Sequence, residues 1–203
     1  MNNKSKLLLA VAAALSSSLA CAEESPWLIR FRVADLSPDT SSSAEVLPAD
    51  IIDVSDKTIP DININYFFTD SVSLELVLTV PQEHDVTVGG TKIGTFKHLP
   101  PTLSLGYHFN TGGDFRPYVR AGVNYTLLMD EDMDIGGAPV TLENDSIGFA
   151  YGAGFDWKLG SNWVLNADVK KVAIATDVFL AGTKIAELDV DPLLVGVGLG
   201  YRF

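Results

Sequence analysis

Three histidines, His84, His98 and His108, are the side chains in this chain best suited to proton transfer, because an imidazole titrates near neutral pH. Acyl transfer or deacylation would need one of them beside a hydroxyl and a carboxylate. His98 has Thr102 four residues on and Ser146 as a more distant candidate, but no nucleophile motif surrounds it. Beside Pro100 and Pro101 it reads as a structural histidine. Metal chemistry has one candidate, Asp130-Glu131-Asp132 with Asp134, oxygen ligands of the kind calcium favours. That run lacks the glycine and closing glutamate of an EF-hand loop and reads as a solvated acidic loop. No cofactor motif accompanies it. The third set is ionic: Arg30, Arg32, Arg120, Lys158, Lys170 and Arg202 with Glu75, Asp156 and Asp168. All nine share strand parity with small residues, which predicts ion pairing inside a fold, since buried charges are tolerated only when paired.

The elements that must position these groups are strands. In Leu193–Phe203 every odd position is apolar, while Gly196, Gly198, Gly200 and Arg202 fill the even positions after Leu194. A period of two with one oily face and one small or charged face suits a strand between lipid and a crowded barrel interior. The same alternation recurs at Trp27–Ala34, Ile59–Phe68, Val72–Val80, around Phe96–Phe109, Arg116–Leu127, Gly148–Leu159 and Trp163–Lys170. Lys171 falls on the oily face, so it must snorkel to the interface or mark a bulge. The expectation is an all-β, eight-stranded antiparallel transmembrane β-barrel.

Lys4 and Lys6, the apolar run Leu7–Leu15 and the ending Ala20-Cys21-Ala22 have the form of a secretory signal peptide. The expected division is signal peptide 1–22 and barrel 23–203. Lipoprotein processing at Cys21 is the rival, but Ser18 stands where such signals usually carry leucine. Cleavage after Ala22 removes the only cysteine and leaves 12 basic against 26 acidic residues, a net charge near −14. So acidic an exterior argues against nucleic acid as a partner. No segment after residue 22 is long and apolar enough for a transmembrane helix. A mean hydropathy of +0.20 is nevertheless high for an acidic chain, and apolar residues on alternate positions reconcile the two.

Connections at 69–71, 110–114 and 160–162 are short, whereas those near 35–58, 81–95, 129–146 and 176–190 are long. Short turns at one end and long loops at the other place the chain in a bacterial outer membrane with both termini periplasmic. Outer-membrane lipid and lipopolysaccharide are then its surroundings, and divalent ions on the acidic run would bridge to lipopolysaccharide phosphates. The aromatic ending Tyr201 and Phe203 is the expected signal to the barrel-assembly machinery. Soluble eight-stranded barrels reverse the faces, with apolar residues inside, and fit this pattern poorly.

Eight strands leave an interior about filled by side chains, which excludes a wide aqueous pore. The nine charges, six basic and three acidic, form either an internal ion-pair network or a charged ion path. Near the extracellular ends the inward parity falls on Val77, His98, Pro100, Val172 and Ile174; nearer the periplasm it falls on Arg30, Asp156, Lys158, Asn166 and Arg202. An oily upper pocket above a polar plug follows, unless the apolar residues simply pack together.

Several segments carry a family resemblance: His98-Leu-Pro-Pro-Thr102, Phe115-Arg-Pro-Tyr-Val119, Ala121-Gly-Val-Asn-Tyr-Thr126, Asn162-Trp163 with Asn166, Asp191-Pro192 and Gly200-Tyr-Arg-Phe203. The chain resembles the OmpW family of small outer-membrane barrels over nearly all of its length after the signal peptide. The resemblance implies an eight-stranded barrel with a narrow hydrophobic channel. It implies passive uptake of small hydrophobic solutes, released sideways through a gap in the wall, with no enzyme activity. The alternatives are a structural or adhesive barrel without transport, whose lumen would be packed throughout, and a lipid A-modifying barrel enzyme.

Overall fold

The computed structural model describes residues 25–43, 48–109 and 112–203. The expected signal peptide and the first two residues of the 110–114 turn lie outside the described residues. Alternating apolar and polar side chains favour extended backbone, and the described chain forms fifteen strands. They are β1 (Trp27–Ser37), β2 (Ser41–Ser42), β3 (Ile52–Val54), β4 (Lys57–Phe67), β5 (Val72–Thr79), β6 (Gln82–Val88), β7 (Thr91–Leu99) and β8 (Thr102–His108). Then come β9 (Phe115–Ile135), β10 (Ala138–Leu142), β11 (Asp145–Lys158), β12 (Trp163–Val172), β13 (Ala175–Leu180), β14 (Thr183–Asp189) and β15 (Leu193–Arg202).

Eight of these close a ring of antiparallel neighbours, β1-β4-β5-β8-β9-β11-β12-β15, and β15 returns to β1 from Leu28↔Arg202 to Ser37↔Leu193. Closure pairs each wall strand with a neighbour on both sides, the condition for crossing a bilayer with strands. The outer face carries exposed apolar side chains such as Phe31, Leu105, Val123, Phe149, Val197 and Leu199. At the short-turn end aromatic rings meet edge to face: Trp27 with Tyr66, Tyr107 with Phe109, and Trp163 with Tyr201. Such a girdle marks a membrane interface.

The long connections are not loops. The β6–β7 hairpin rises from the wall, pairs with β3 on one side and continues onto the upper half of β9 on the other. β10 joins the tip of β9 to the β13–β14 hairpin, which reaches β2. Together they form a collar whose outer face is charged, with Lys92 paired to Asp85 and Lys97 to Asp130. The run Met129–Asp134, expected as an acidic loop, is therefore strand. Among the described residues no three His, Cys, Asp or Glu converge to hold a metal ion.

The strand expected around Phe96–Phe109 is also two strands. Pro100 and Pro101, which lack an N–H for the ladder, separate β7 from β8. The β5–β8 ladder accordingly stops at Val77↔Thr102, leaving a seam in the wall under the β6–β7 hairpin. Lys171 keeps regular register with Tyr151 and Leu193 and reaches Asp39 at 2.8 Å, so it extends to the interface without a bulge.

Glycine lines the inner wall where large side chains cross the lumen. A Cβ on Gly154 would lie 2.6 Å from the Tyr118 hydroxyl, and one on Gly198 would lie 2.7 Å from Arg32 Cγ. Gly154→Leu is expected to abolish the compact, heat-modifiable gel band of the folded barrel. Ala153→Leu, on the exposed outer face, is expected to keep it.

Candidate functional site

The lower lumen holds the charges, and strand parity puts them there. Arg30 of β1 donates through Nε and Nη2 to both carboxylate oxygens of Asp156, at 2.9 and 2.6 Å, and through Nη1 to Glu75 at 3.2 Å. Arg32, two residues on, grips Asp61 in the same forked way at 2.9 and 2.7 Å and meets Asp168 at 2.5 Å. Arg120 pairs with Glu75 and, at 3.3 Å, with Asp168. Lys170 completes the set, its ammonium 3.8 Å from Glu75. Tyr118 stands among them with the Arg120 guanidinium 4.3 Å from its ring centre, and its hydroxyl accepts from Asn166 at 2.8 Å.

All these side chains are buried. Two-pronged arginine–carboxylate contacts are the strong form of ion pair, and fully matched charges are what a dry lumen tolerates. The buried cluster is balanced: Arg30, Arg32, Arg120 and Lys170 against Asp61, Glu75, Asp156 and Asp168. The sequence expectation of six bases and three acids needs correcting here. Asp61 was missed, although the parity that turns Asn63 and Asn65 inward carries Asp61 with them. Lys158 and Arg202 lie lower and partly exposed, around a cavity of about 20 Å³ at the short-turn mouth. There Arg202 donates to the Ser25 carbonyl at 3.2 Å and covers the Phe67 ring at 4.7 Å.

Above the charges the lumen turns apolar. Val172 and Ile174 are buried in one continuous cluster with Leu36, Ile59, Phe96 and Leu188. Val77 and Pro100 are buried beside the wall seam. Much of this cluster comes from segments that lacked long alternation and read as loops, including Ile52, Val86, Met133, Val140 and Ile185. The apolar cavity at the collar's centre has a volume of about 10 Å³, and its wall includes Val86, Phe96, Met133 and Leu142. Packing of this kind closes the upper lumen.

His98 lies in the collar floor, stacked on His84 with ring centres 4.7 Å apart. The hydroxyls considered for it are engaged elsewhere: Thr102 donates to the Pro100 carbonyl at 3.2 Å, and Ser146 accepts from the Ala175 amide at 3.2 Å. His108 meets Ser73 at 3.0 Å, but both are buried at the short-turn end beneath the ion cluster.

A charged plug beneath an apolar collar, inside an eight-stranded barrel, can be compared with known proteins. Residues 23–203 match the model of the OmpW family. The chain belongs to the OmpW family. It is 34% identical to Outer membrane protein W of Vibrio cholerae, covering 96% of this chain and 97% of the relative. The crystal structure of the outer membrane protein OprG from Pseudomonas aeruginosa superposes with a TM-score of 0.77 at 31% identity, covering 89% of this chain and 97% of that one. A relative from Pseudomonas aeruginosa, named dibenzothiophene metabolism operon protein PahQ, is 26% identical over 90% of each chain. The protein is thus an outer-membrane β-barrel of OmpW type.

Two outcomes follow from the geometry. Glu75→Ala leaves Arg30, Arg120 and Lys170 without their shared carboxylate and should cost about 3–5 kcal/mol of barrel stability. This is read as a lowered urea midpoint, while Asp39→Asn at the exposed Lys171 pair should leave the midpoint nearly unchanged. Burial pushes His84 in the collar below the ordinary histidine range, against the Ser55 carbonyl, Asp85 and Asp56, which raise it; Lys57 adds to the lowering. The folded collar therefore binds fewer protons than the unfolded chain, so its stability is full above the unfolded value of ~6.5 and declines as pH falls below it. Amide exchange in β6 and β7, corrected for intrinsic rates, should accelerate from pH 7 to pH 5 while β11 amides stay protected.

Proposed function

We propose that the barrel passes small apolar molecules from outside the cell into the outer membrane, with no chemical step. The observation that carries this reading is the boundary in the lumen, charged up to Lys170 and uncharged above it, where an apolar cluster dominates. An apolar solute gains by entering the collar and has no path onward through matched charges whose separation would be costly. The wall seam at Pro100-Pro101, flanked by Val77, offers such a solute a sideways exit into lipid. The name of PahQ, which refers to dibenzothiophene, an apolar aromatic compound, supports the same solute class.

The collar cavity is far smaller than any drug-sized pocket, so entry requires the hairpins to part. Tight packing favours one second reading, a structural or adhesive barrel without transport. Side-chain chemistry does not favour a lipid A-modifying enzyme, because the collar histidines stack on each other rather than on a nucleophile. We also propose cleavage after Ala22, both termini on the periplasmic side, and recognition of Tyr201 and Phe203 by the barrel-assembly machinery.

The test uses intact cells that carry a cytosolic dibenzothiophene-oxidising enzyme and either lack the barrel or contain the parent, Val172→Arg or Ile174→Arg. Oxidation of externally supplied dibenzothiophene should run several-fold faster with the parent than without it. It should fall to the barrel-free rate in both folded variants and become equal in all strains after permeabilisation. Equal rates in intact cells with and without the parent barrel would leave the structural reading.

A further inference from the structure

The collar is nearly a second ring, in which β2, β3, β6, β7, the upper half of β9, β10, β13 and β14 stand side by side. Backbone ladders join its neighbours at β3–β6, β6–β7, β7–β9, β9–β10, β10–β13, β13–β14 and β14–β2. Among the described residues, the boundary between β2 and β3 has no ladder.

Each of these two strands is held from its other side. β2 pairs with β14, where the Ser43 amide also donates to the Glu187 carbonyl at 2.9 Å and the Asp39 amide to the Val190 carbonyl at 3.0 Å. β3 pairs with β6, where the Gly89 amide donates to the Ile51 carbonyl at 2.9 Å and the Ser55 amide to the Asp85 carbonyl at 3.1 Å. Between the two strands stands Asp50. Its amide donates to the Ser42 carbonyl and its carboxylate accepts from the Ser42 amide, both at 3.2 Å. The Thr40 hydroxyl adds a bond to the Asp53 carboxylate at 3.2 Å. Asp50 is exposed, so water can replace its carboxylate, and its φ of +56° is a left-handed conformation that a residue other than glycine adopts at a cost. The Ser42 hydroxyl is buried at this boundary with no hydrogen-bond partner among the described residues, a penalty that exposure to water removes.

Behind the boundary lies the apolar centre of the collar. Ile52 of β3 and Leu188, the β14 partner of Ser42, both line its cavity. Parting the collar at any other boundary breaks a ladder, whereas parting it here breaks a clasp. Residues 43–51 tether the two strands, and at ~3.3 Å per extended residue they let the strands separate by more than the width of an aromatic solute.

We infer that the collar opens to apolar solutes between β2 and β3, and that Asp50 is the clasp that holds this line shut. The inference rests on the proposed uptake and says where entry occurs. The closed cavity is too small for a solute, so a solute enters as β2 moves away with β14 and β3 with β6.

The experiment repeats the dibenzothiophene assay with cysteine pairs joined by a short bis-methanethiosulfonate, which reduction removes. Thr40→Cys with Asp53→Cys ties β2 to β3. Thr141→Cys with Phe179→Cys, directly opposite on β10 and β13, ties a boundary that already has a ladder. Cross-linking the first pair should lower oxidation several-fold, to the barrel-free rate, and reduction should restore it. Cross-linking the second pair should leave the parent rate. A rate that survives the first cross-link, or falls equally with the second, would overturn the parting line and leave apolar uptake standing. A second measurement needs no transport. In the purified barrel the Ser42 amide should exchange with solvent several-fold faster in Asp50→Gly, which suits the left-handed backbone but lacks the carboxylate, than in the parent or in Asp50→Asn. Equal exchange in all three would overturn the clasp. Faster exchange in Asp50→Gly, with parent cells no faster than barrel-free cells, would support the clasp and overturn uptake alone.

Discussion

A barrel of eight strands encloses space for side chains and little else, so any charge inside it must find an opposite charge close beside it. That constraint organises the lower half of this protein. Four cations and four carboxylates from six of the eight wall strands meet around Tyr118, and glycines on the facing strands clear the room they need. Glu75 answers three cations and Arg32 answers two carboxylates. The result ties β1 to the far wall through contacts that no backbone ladder supplies.

The upper half follows a different rule. Once the strands leave the apolar belt, their outer face turns polar and their inner face turns apolar, the reverse of the arrangement below. The collar therefore behaves as a small soluble β-structure set on top of a membrane barrel, with its own core. A change of solvent from lipid to water inverts which face is buried. The boundary between the two regimes runs close to Lys170 and Val172, successive inward positions on β12.

This inversion explains what was legible in the sequence. Within the wall, alternation is long and clean, and it placed Arg30, Glu75, Asp168 and Val172 inward. Asp61 carried the same signal but sits at the polar beginning of its strand, where outward Pro60 interrupts the apolar face. The collar strands are short, and β13 and the start of β7 mix lysine, threonine and aspartate with apolar residues, so they resembled loops. The break at Pro100-Pro101 was written in the chain, yet apolar parity continues across it, and one long strand was the natural reading. What parity cannot supply is distance across the lumen: nothing in the order of residues says that His84 and His98 stack, or that the Ser55 carbonyl lies 2.6 Å from His84 Nδ1.

The proposed sideways route for solute requires the paired charges to seal the lower lumen against ions along the axis. Conductance of the purified barrel in a planar bilayer tests this most directly. The predicted trace is flat in the folded parent, with ohmic steps appearing when Glu75 and Arg120 are both replaced by alanine. Steady ohmic conductance in the parent, scaling with salt concentration, would show an open axial path and contradict the sealed lumen.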